Sequence, residues 1–134
     1  MNNMTYMLDT NTCIFLMKKM TNPLSAFAAR RDKGMAISAL TLAELEFGVY
    51  NSAAIQKNRE TLFTFLTLVT ILHFDTSAAL EYGDICATLR KDGTPIGTID
   101  MLIAAHARSA ELVLVTNNTR EFSRVTGLKL EDWY

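Results

Sequence analysis

The sequence has little that could hold a chain together covalently or send it to a particular place. It contains two cysteines, Cys13 and Cys86, which stand far apart. Neither forms a CxxC pair or neighbours a histidine at zinc-ligand spacing, so a disulfide framework and a zinc site are both unsupported, and two free thiols are expected. Neither sign of charge is in excess: 13 lysines and arginines against 14 aspartates and glutamates give a net charge of −1. That balance predicts neither a nucleic-acid-binding tail nor a strongly acidic surface, so any basic footprint must be local. The first residues show no basic leader with an apolar stretch and a small-residue cleavage site, and a reducing, cytoplasmic compartment is expected. A membrane span is also missing. The longest stretch without a formal charge, TLFTFLTLVTILHF from Thr61 to Phe74, is interrupted by threonines. It is shorter than the ~20 residues that cross a bilayer, and it reads as core. Repeats, low-complexity segments and linkers are absent too, so residues 1–134 are expected to form a single domain.

What is present is apolar material, 49% of 134 residues, enough for one core. Four short apolar runs, TYML, MAIS, TILHF and LVLVT, are each bounded by polar or helix-starting residues and read as strands. Between them lie segments with helical spacing: Ile14 to Met20, Leu24 to Arg31, Leu42 to Tyr50, Asn58 to Leu68, Ser77 to Arg90 and Met101 to Ser109. Strands separated by helices predict an α/β fold around a parallel sheet. Leu42, Leu45 and Val49 form one apolar stripe, and Ala104, Ala105 and Ala107 suit close helix-to-sheet packing. KDGTPIG (Lys91 to Gly97) is a loop. LKLEDWY at the end is a candidate fifth strand, with Trp133 and Tyr134 packing beside it.

Four acids stand at or near helix starts: Asp9 in YMLDTN, Glu44 in TLAE, Asp100 in TIDMLIAAHA and Glu121 in TNNTREF. Any one of them is explained by helix capping, because acidic groups meet the positive end of the helix dipole and its unpaired N–H groups. Thr41 with Glu44 fits a capping box, and Asn118 with Glu121 fits a weaker one. Topology adds a second reading. In a parallel sheet with right-handed crossovers every strand ends at the same edge, where ligands bind. Asp9, Glu44 and Glu121 each follow a strand and would gather there. Asp100 precedes the last core strand, so strand order alone puts it at the opposite edge unless the DGTPIGTI segment carries it across.

Clustered carboxylates repel one another and need protons or a cation. Oxygen ligands without cysteine or histidine suit Mg²⁺ or Mn²⁺. Such an ion lowers the pKa of an attacking water and stabilises charge on phosphate oxygens, which is the chemistry of phosphodiester hydrolysis.

In order and spacing, MLDTNTCIF, SALTLAELEFG, GTPIGTIDMLIAAHA and LVLVTNNTREF resemble PIN-domain ribonucleases, most closely the VapC toxins of type II toxin–antitoxin pairs. The resemblance runs from Tyr6 to Trp133. It implies a PIN-like fold: a central, mostly parallel sheet flanked by helices, with a helical arm between Leu42 and Leu68. It also implies that Asp100 lies in the same cleft as Asp9 and Glu44. Asp9 and Asp100 would then be the principal metal ligands, for Mg²⁺ or alternatively Mn²⁺. Glu44 would complete the cluster. Where many PIN domains carry an aspartate after the last core strand, this chain has Asn117 and Asn118, so Glu121 is taken as the fourth acid, supported by Thr116 and Asn118. Thr10 and Asn11 are expected to fix the loop around Asp9. The implied activity is a metal-dependent endoribonuclease acting on structured RNA, with initiator tRNA, cut in its anticodon stem-loop, as the expected substrate. The implied partners are a VapB-type antitoxin and a second copy of the chain.

His106 and His73 are read as packed or hydrogen-bonded histidines, outside the catalytic set. Among the basic residues Lys18, Lys19, Arg30, Arg31, Lys33, Arg90, Lys91, Arg108, Arg120 and Arg124, the pair Arg90 and Lys91 beside the DGTPIG loop are the best RNA-phosphate candidates. Phe63, Phe65 and Phe74 are read as core or dimer contacts. The rival from another class is a non-catalytic interaction protein, whose acids only cap helices and whose cleft holds a partner. A phosphate-accepting receiver domain would need adjacent early acids and a late lysine, which the chain lacks.

Overall fold

A computed structural model of the chain describes residues 4–134. Five strands, β1 (Tyr6–Leu8), β2 (Met35–Ser38), β3 (Thr70–Leu72), β4 (Val113–Val115) and β5 (Lys129–Glu131), form one sheet in the order β3-β2-β1-β4-β5. Every neighbouring pair is parallel, and the candidate fifth strand takes the edge beside β4. Short apolar runs can serve as strands at the centre of the sheet because helices cover both faces, so every residue of β1 and β2 is buried whichever way it points. Met7, Ala36 and Leu114 point to one face. Tyr6, Leu8, Met35, Ile37 and Val115 point to the other. This period of two divides the core into two layers.

On the first face lie α5 (Thr76–Lys91), α6 (Thr98–Ser109) and the short α7 (Thr119–Phe122). The alanines of α6 are buried against the sheet, as their small size allows. On the second face lie α1 (Thr10–Met17), α2 (Thr21–Ala29), α3 (Ala39–Tyr50) and α4 (Ile55–Leu66). Helices α3 and α4 are the expected arm, and Leu45 and Val49 are buried from the Leu42 stripe. Trp133 closes this layer with its ring edge-on to Tyr6, 5.2 Å between centroids. Full burial of one such aliphatic or aromatic side chain stabilises by roughly 1.5–3 kcal/mol. Leu62, on α4, is the arm's most deeply buried apolar side chain.

Helices α1 and α3 begin earlier than apolar spacing suggests, because each is capped by the residue that ends or follows its strand. Asp9 accepts the Thr12 N–H and caps α1. Ser38 accepts the Leu40 N–H and caps α3. Thr41 is therefore inside the helix, and the expected Thr41–Glu44 capping box does not form. Its hydroxyl is buried without a hydrogen-bond partner. Asn118 stands at the start of α7 but makes no side-chain cap. Two further expectations are corrected by exposure: His73 after β3 faces solvent, and Phe63 on α4 is exposed and so is not a core residue.

The crossover from β3 to β4 contains two helices. Arg108, near the end of α6, pairs with Glu81 and Asp84 in the first half of α5, so the two run antiparallel. The turn Asp92–Gly97 between them carries the start of α6, with Asp100, back to the side from which strand order alone would exclude it. Among the described residues no helix is long and apolar enough to cross a membrane.

Candidate active site

The carboxyl of Asp9 sits directly beyond β1, where its residue is only 6% exposed. Its backbone N–H donates to Val115, joining the ends of β1 and β4. The Thr12 N–H donates to Asp9 Oδ1 at 2.9 Å. The Thr12 hydroxyl donates to the Val115 carbonyl at 3.1 Å, so this threonine holds both the acid and the neighbouring strand end. Thr116, fully buried, adds a side-chain hydrogen bond to Asp9. It also accepts the Asn118 N–H at 3.0 Å. Burial raises the Asp9 pKa above the ordinary carboxylate value; the Thr116 and Thr12 hydrogen bonds oppose the rise, and the Glu44 charge adds to it.

Asp100 lies in the first turn of α6, half-buried. Its pKa is also raised, first by burial and then by the charges of Asp9, Glu121 and Glu44. The side chains of all four acids thus share one region. Glu44 is held by the Thr10 hydroxyl, which donates to its carboxylate. Glu121 accepts from Asn118 Nδ2 at 3.1 Å. Thr10 therefore orients Glu44 rather than Asp9. Asn11 is exposed, and among the described residues its side chain makes no hydrogen bond. Thr12, which does hold Asp9, was not singled out from the sequence; its place three residues into a helix capped by Asp9 was the available signal.

None of the four acids pairs with a lysine or arginine among the described residues; the ion pairs there join other groups. Nor do any three histidine, cysteine, aspartate or glutamate side chains among those residues come close enough to enclose a metal ion. One or two carboxylates completed by water is the donor set Mg²⁺ usually takes, and Asp9 with Asp100 fits it. A β-carbon at Gly97 would stand 3.5 Å from Asp100 Oδ2, in ordinary contact with it.

Beside the acids, a groove of about 430 Å³ runs between α1, α3 and α4, with Glu44 and Lys18 among its lining and Ile14, Met17, Leu45 and Val49 giving it an apolar wall. Arg90 and Lys91 are exposed on the last turn of α5, next to the loop that leads to Asp100. Arg124 donates to the Pro95 carbonyl at 3.2 Å and ties that loop to the segment after α7. Arg30 and Arg108 are engaged in structural ion pairs.

Residues 6–128 match the PIN domain family. The chain is 43% identical over 128 residues to the tRNA(fMet)-specific endonuclease VapC of Salmonella typhimurium, covering 96% of this chain and 97% of that protein. The chain belongs to the VapC group of the PIN-domain family. Ribonuclease VapC2 of Haemophilus influenzae is 43% identical over 129 residues, covering 96% of this chain and 97% of the relative. Among solved structures, VapBC2 from Rickettsia felis bound to a DNA fragment from its promoter matches with a TM-score of 0.94 at 35% identity, over 98% of this chain and all of the other. DNA-bound VapBC from Salmonella typhimurium matches with a TM-score of 0.93 at 43% identity, over 98% and 99% of the two chains. The all-parallel sheet and the α3–α4 arm are thus those of a PIN-domain VapC protein.

Proposed function

We propose that this VapC-family chain is a metal-dependent endoribonuclease toxin that hydrolyses phosphodiester bonds in RNA, with initiator tRNA as the substrate class. The observation that carries the reading is that Asp100 lies within electrostatic reach of Asp9, Glu44 and Glu121, with no basic partner on any of the four among the described residues. The tRNA(fMet)-specific relative supports the choice of RNA.

Asp9 and Asp100 are the residues that would hold Mg²⁺ or Mn²⁺. When bound, the ion supplies a water of lowered pKa and neutralises charge on the phosphate oxygens. Asp9, fixed by Thr12 and Thr116, would be the rigid ligand. Glu44, held by Thr10, would bind the ion directly or orient the attacking water. Glu121, held by Asn118, is the fourth acid of the cluster. Arg90 and Lys91 track RNA phosphates on the approach to Asp100. The partner proposed for the cleft is a VapB-type antitoxin segment, with its apolar side chains in the groove beside Glu44; the relatives solved as VapBC support it. A homodimer and a cytoplasmic location complete the reading.

The test is cleavage of tRNA by the purified toxin and by Asp9→Asn, each with Mg²⁺ or with EDTA. Cleavage only by the unsubstituted chain with Mg²⁺ is expected. Equal behaviour in all four reactions would reject the proposal in favour of a non-catalytic interaction protein.

A further inference from the structure

His106 stands on the same helix as Asp100 but on a different face, and at 3% exposure it cannot reach the cleft. It is nevertheless part of a polar chain that ends at the cleft's framework. Its Nδ1 lies 2.8 Å from Ser38 Oγ, and both residues are buried. Ser38 Oγ also accepts the Leu40 N–H at 3.1 Å, as the cap of α3. The backbone of His73 hydrogen-bonds the ring. Phe74 packs edge-on to it with 5.5 Å between centroids.

The imidazole is held by the Ser38 hydroxyl at Nδ1 and by the His73 backbone, with Phe74 packed edge-on to it. Ser38 Oγ accepts the Leu40 N–H and shares one further hydrogen bond with Nδ1, whose direction follows the tautomer of the ring. A serine cap alone needs only the Leu40 N–H; the imidazole is an additional buried partner, and it comes from α6.

That link joins the two helices whose acids must meet. Ser38 starts α3, which carries Glu44, and His106 belongs to α6, which carries Asp100. We propose that His106 is a positioning residue: through Ser38 it fixes the rotation and height of α6 against the start of α3 and so sets Asp100 in register with Glu44 and Asp9. This inference rests on the reading of those acids as a metal-binding catalytic cluster.

The experiment compares the unsubstituted toxin with His106→Leu, His106→Asn, Ser38→Ala and the double variant His106→Leu/Ser38→Ala. Mn²⁺ affinity is measured by calorimetry, and kcat and KM on tRNA are measured well below each variant's Tm. His106→Leu keeps the packing volume and removes the Ser38 partner, and should lower both Mn²⁺ affinity and kcat by roughly 10–100-fold, the range for residues that orient metal ligands, with KM unchanged. His106→Asn, whose amide can donate to or accept from Ser38, should recover most of the loss. Ser38→Ala, which also loses the α3 cap, should be at least as impaired as His106→Leu, and the double variant should be no worse than Ser38→Ala. Full Mn²⁺ affinity and kcat in His106→Leu would overturn the inference, as would an Asn variant as impaired as the Leu variant. If the unsubstituted chain binds Mn²⁺ but cleaves no RNA, the nuclease reading fails while the Mn²⁺ affinities of the variants still decide the positioning role.

Discussion

Two groups of acids in this molecule are treated in opposite ways. Glu81 and Asp84 on α5 converge on one guanidinium, Arg108, at 2.9 and 2.7 Å, and that arginine also donates to the Thr126 carbonyl. Asp9, Glu44, Asp100 and Glu121 converge with no lysine or arginine bound to them among the described residues. Their neighbours are hydroxyls, amides and one another. The first arrangement closes two helices against each other. The second leaves repulsion in place at the carboxyl edge of the sheet, which the proposed cation would relieve.

Breaking the second group should have the largest effect on activity. Asp100→Asn is expected to lower the rate of RNA cleavage by more than about a hundredfold, since even residues that merely orient metal ligands are worth 10–100-fold. Single-turnover cleavage of tRNA checks this; a variant within tenfold of the parent would remove Asp100 from the cluster.

Breaking the first group should act on folding instead. Arg108→Ala leaves two solvent-accessible acids without their shared partner, and is expected to destabilise by up to about 1 kcal/mol with the cleavage rate of the folded fraction unchanged. Urea unfolding at neutral pH measures it. A change in rate with no change in stability would contradict the division of roles.

Arg90→Ala with Lys91→Ala tests whether basic residues flank the unpaired acids for RNA. KM should rise, and the salt dependence of log KM should fall by ~1 for each phosphate that the variant no longer neutralises, while kcat stays the same. A lower kcat with unchanged KM would reassign these residues.

The smallest effect is the most direct sign of repulsion. The pKa values of Asp9 and Asp100 are raised in the folded protein, so charging them opposes folding. That penalty is absent below the ordinary carboxylate pKa of 3.8 and grows as the pH rises through the raised folded value. In EDTA at neutral pH, Asp100→Asn should therefore melt at a slightly higher temperature than the parent, and the difference should vanish at about pH 3. Adding Mn²⁺ should raise the Tm of the parent and leave that of Asp100→Asn in place. A metal-free parent that melts above Asp100→Asn at neutral pH would mean that the acids are stabilising caps.

Much of this comparison was legible along the chain. Short apolar runs followed at once by polar caps located β1 and β2, and placed Asp9 and the Glu44 helix at the carboxyl edge. The same logic failed for Asp100. It assumed that a helix leading into β4 starts at the opposite edge, whereas α5 and α6 form an antiparallel pair in that crossover; the exception left open, a DGTPIGTI segment that carries Asp100 across, is the route the chain takes. The capping box at Thr41 failed for a related reason. Ser38, read only as the end of a strand, had the N-cap position first, and a helix has one such position.

By itself the sequence determined the alternation of strands and helices and the position of the acids at or near helix starts, because these follow from periodicity and from residue type. The tertiary structure alone decided which acids go unpaired and which side chains hold them. Thr10 reaching Glu44, Thr12 reaching Val115 and His106 reaching Ser38 join residues remote in the chain. No local pattern encodes a hydrogen bond whose two ends meet only after the sheet has assembled.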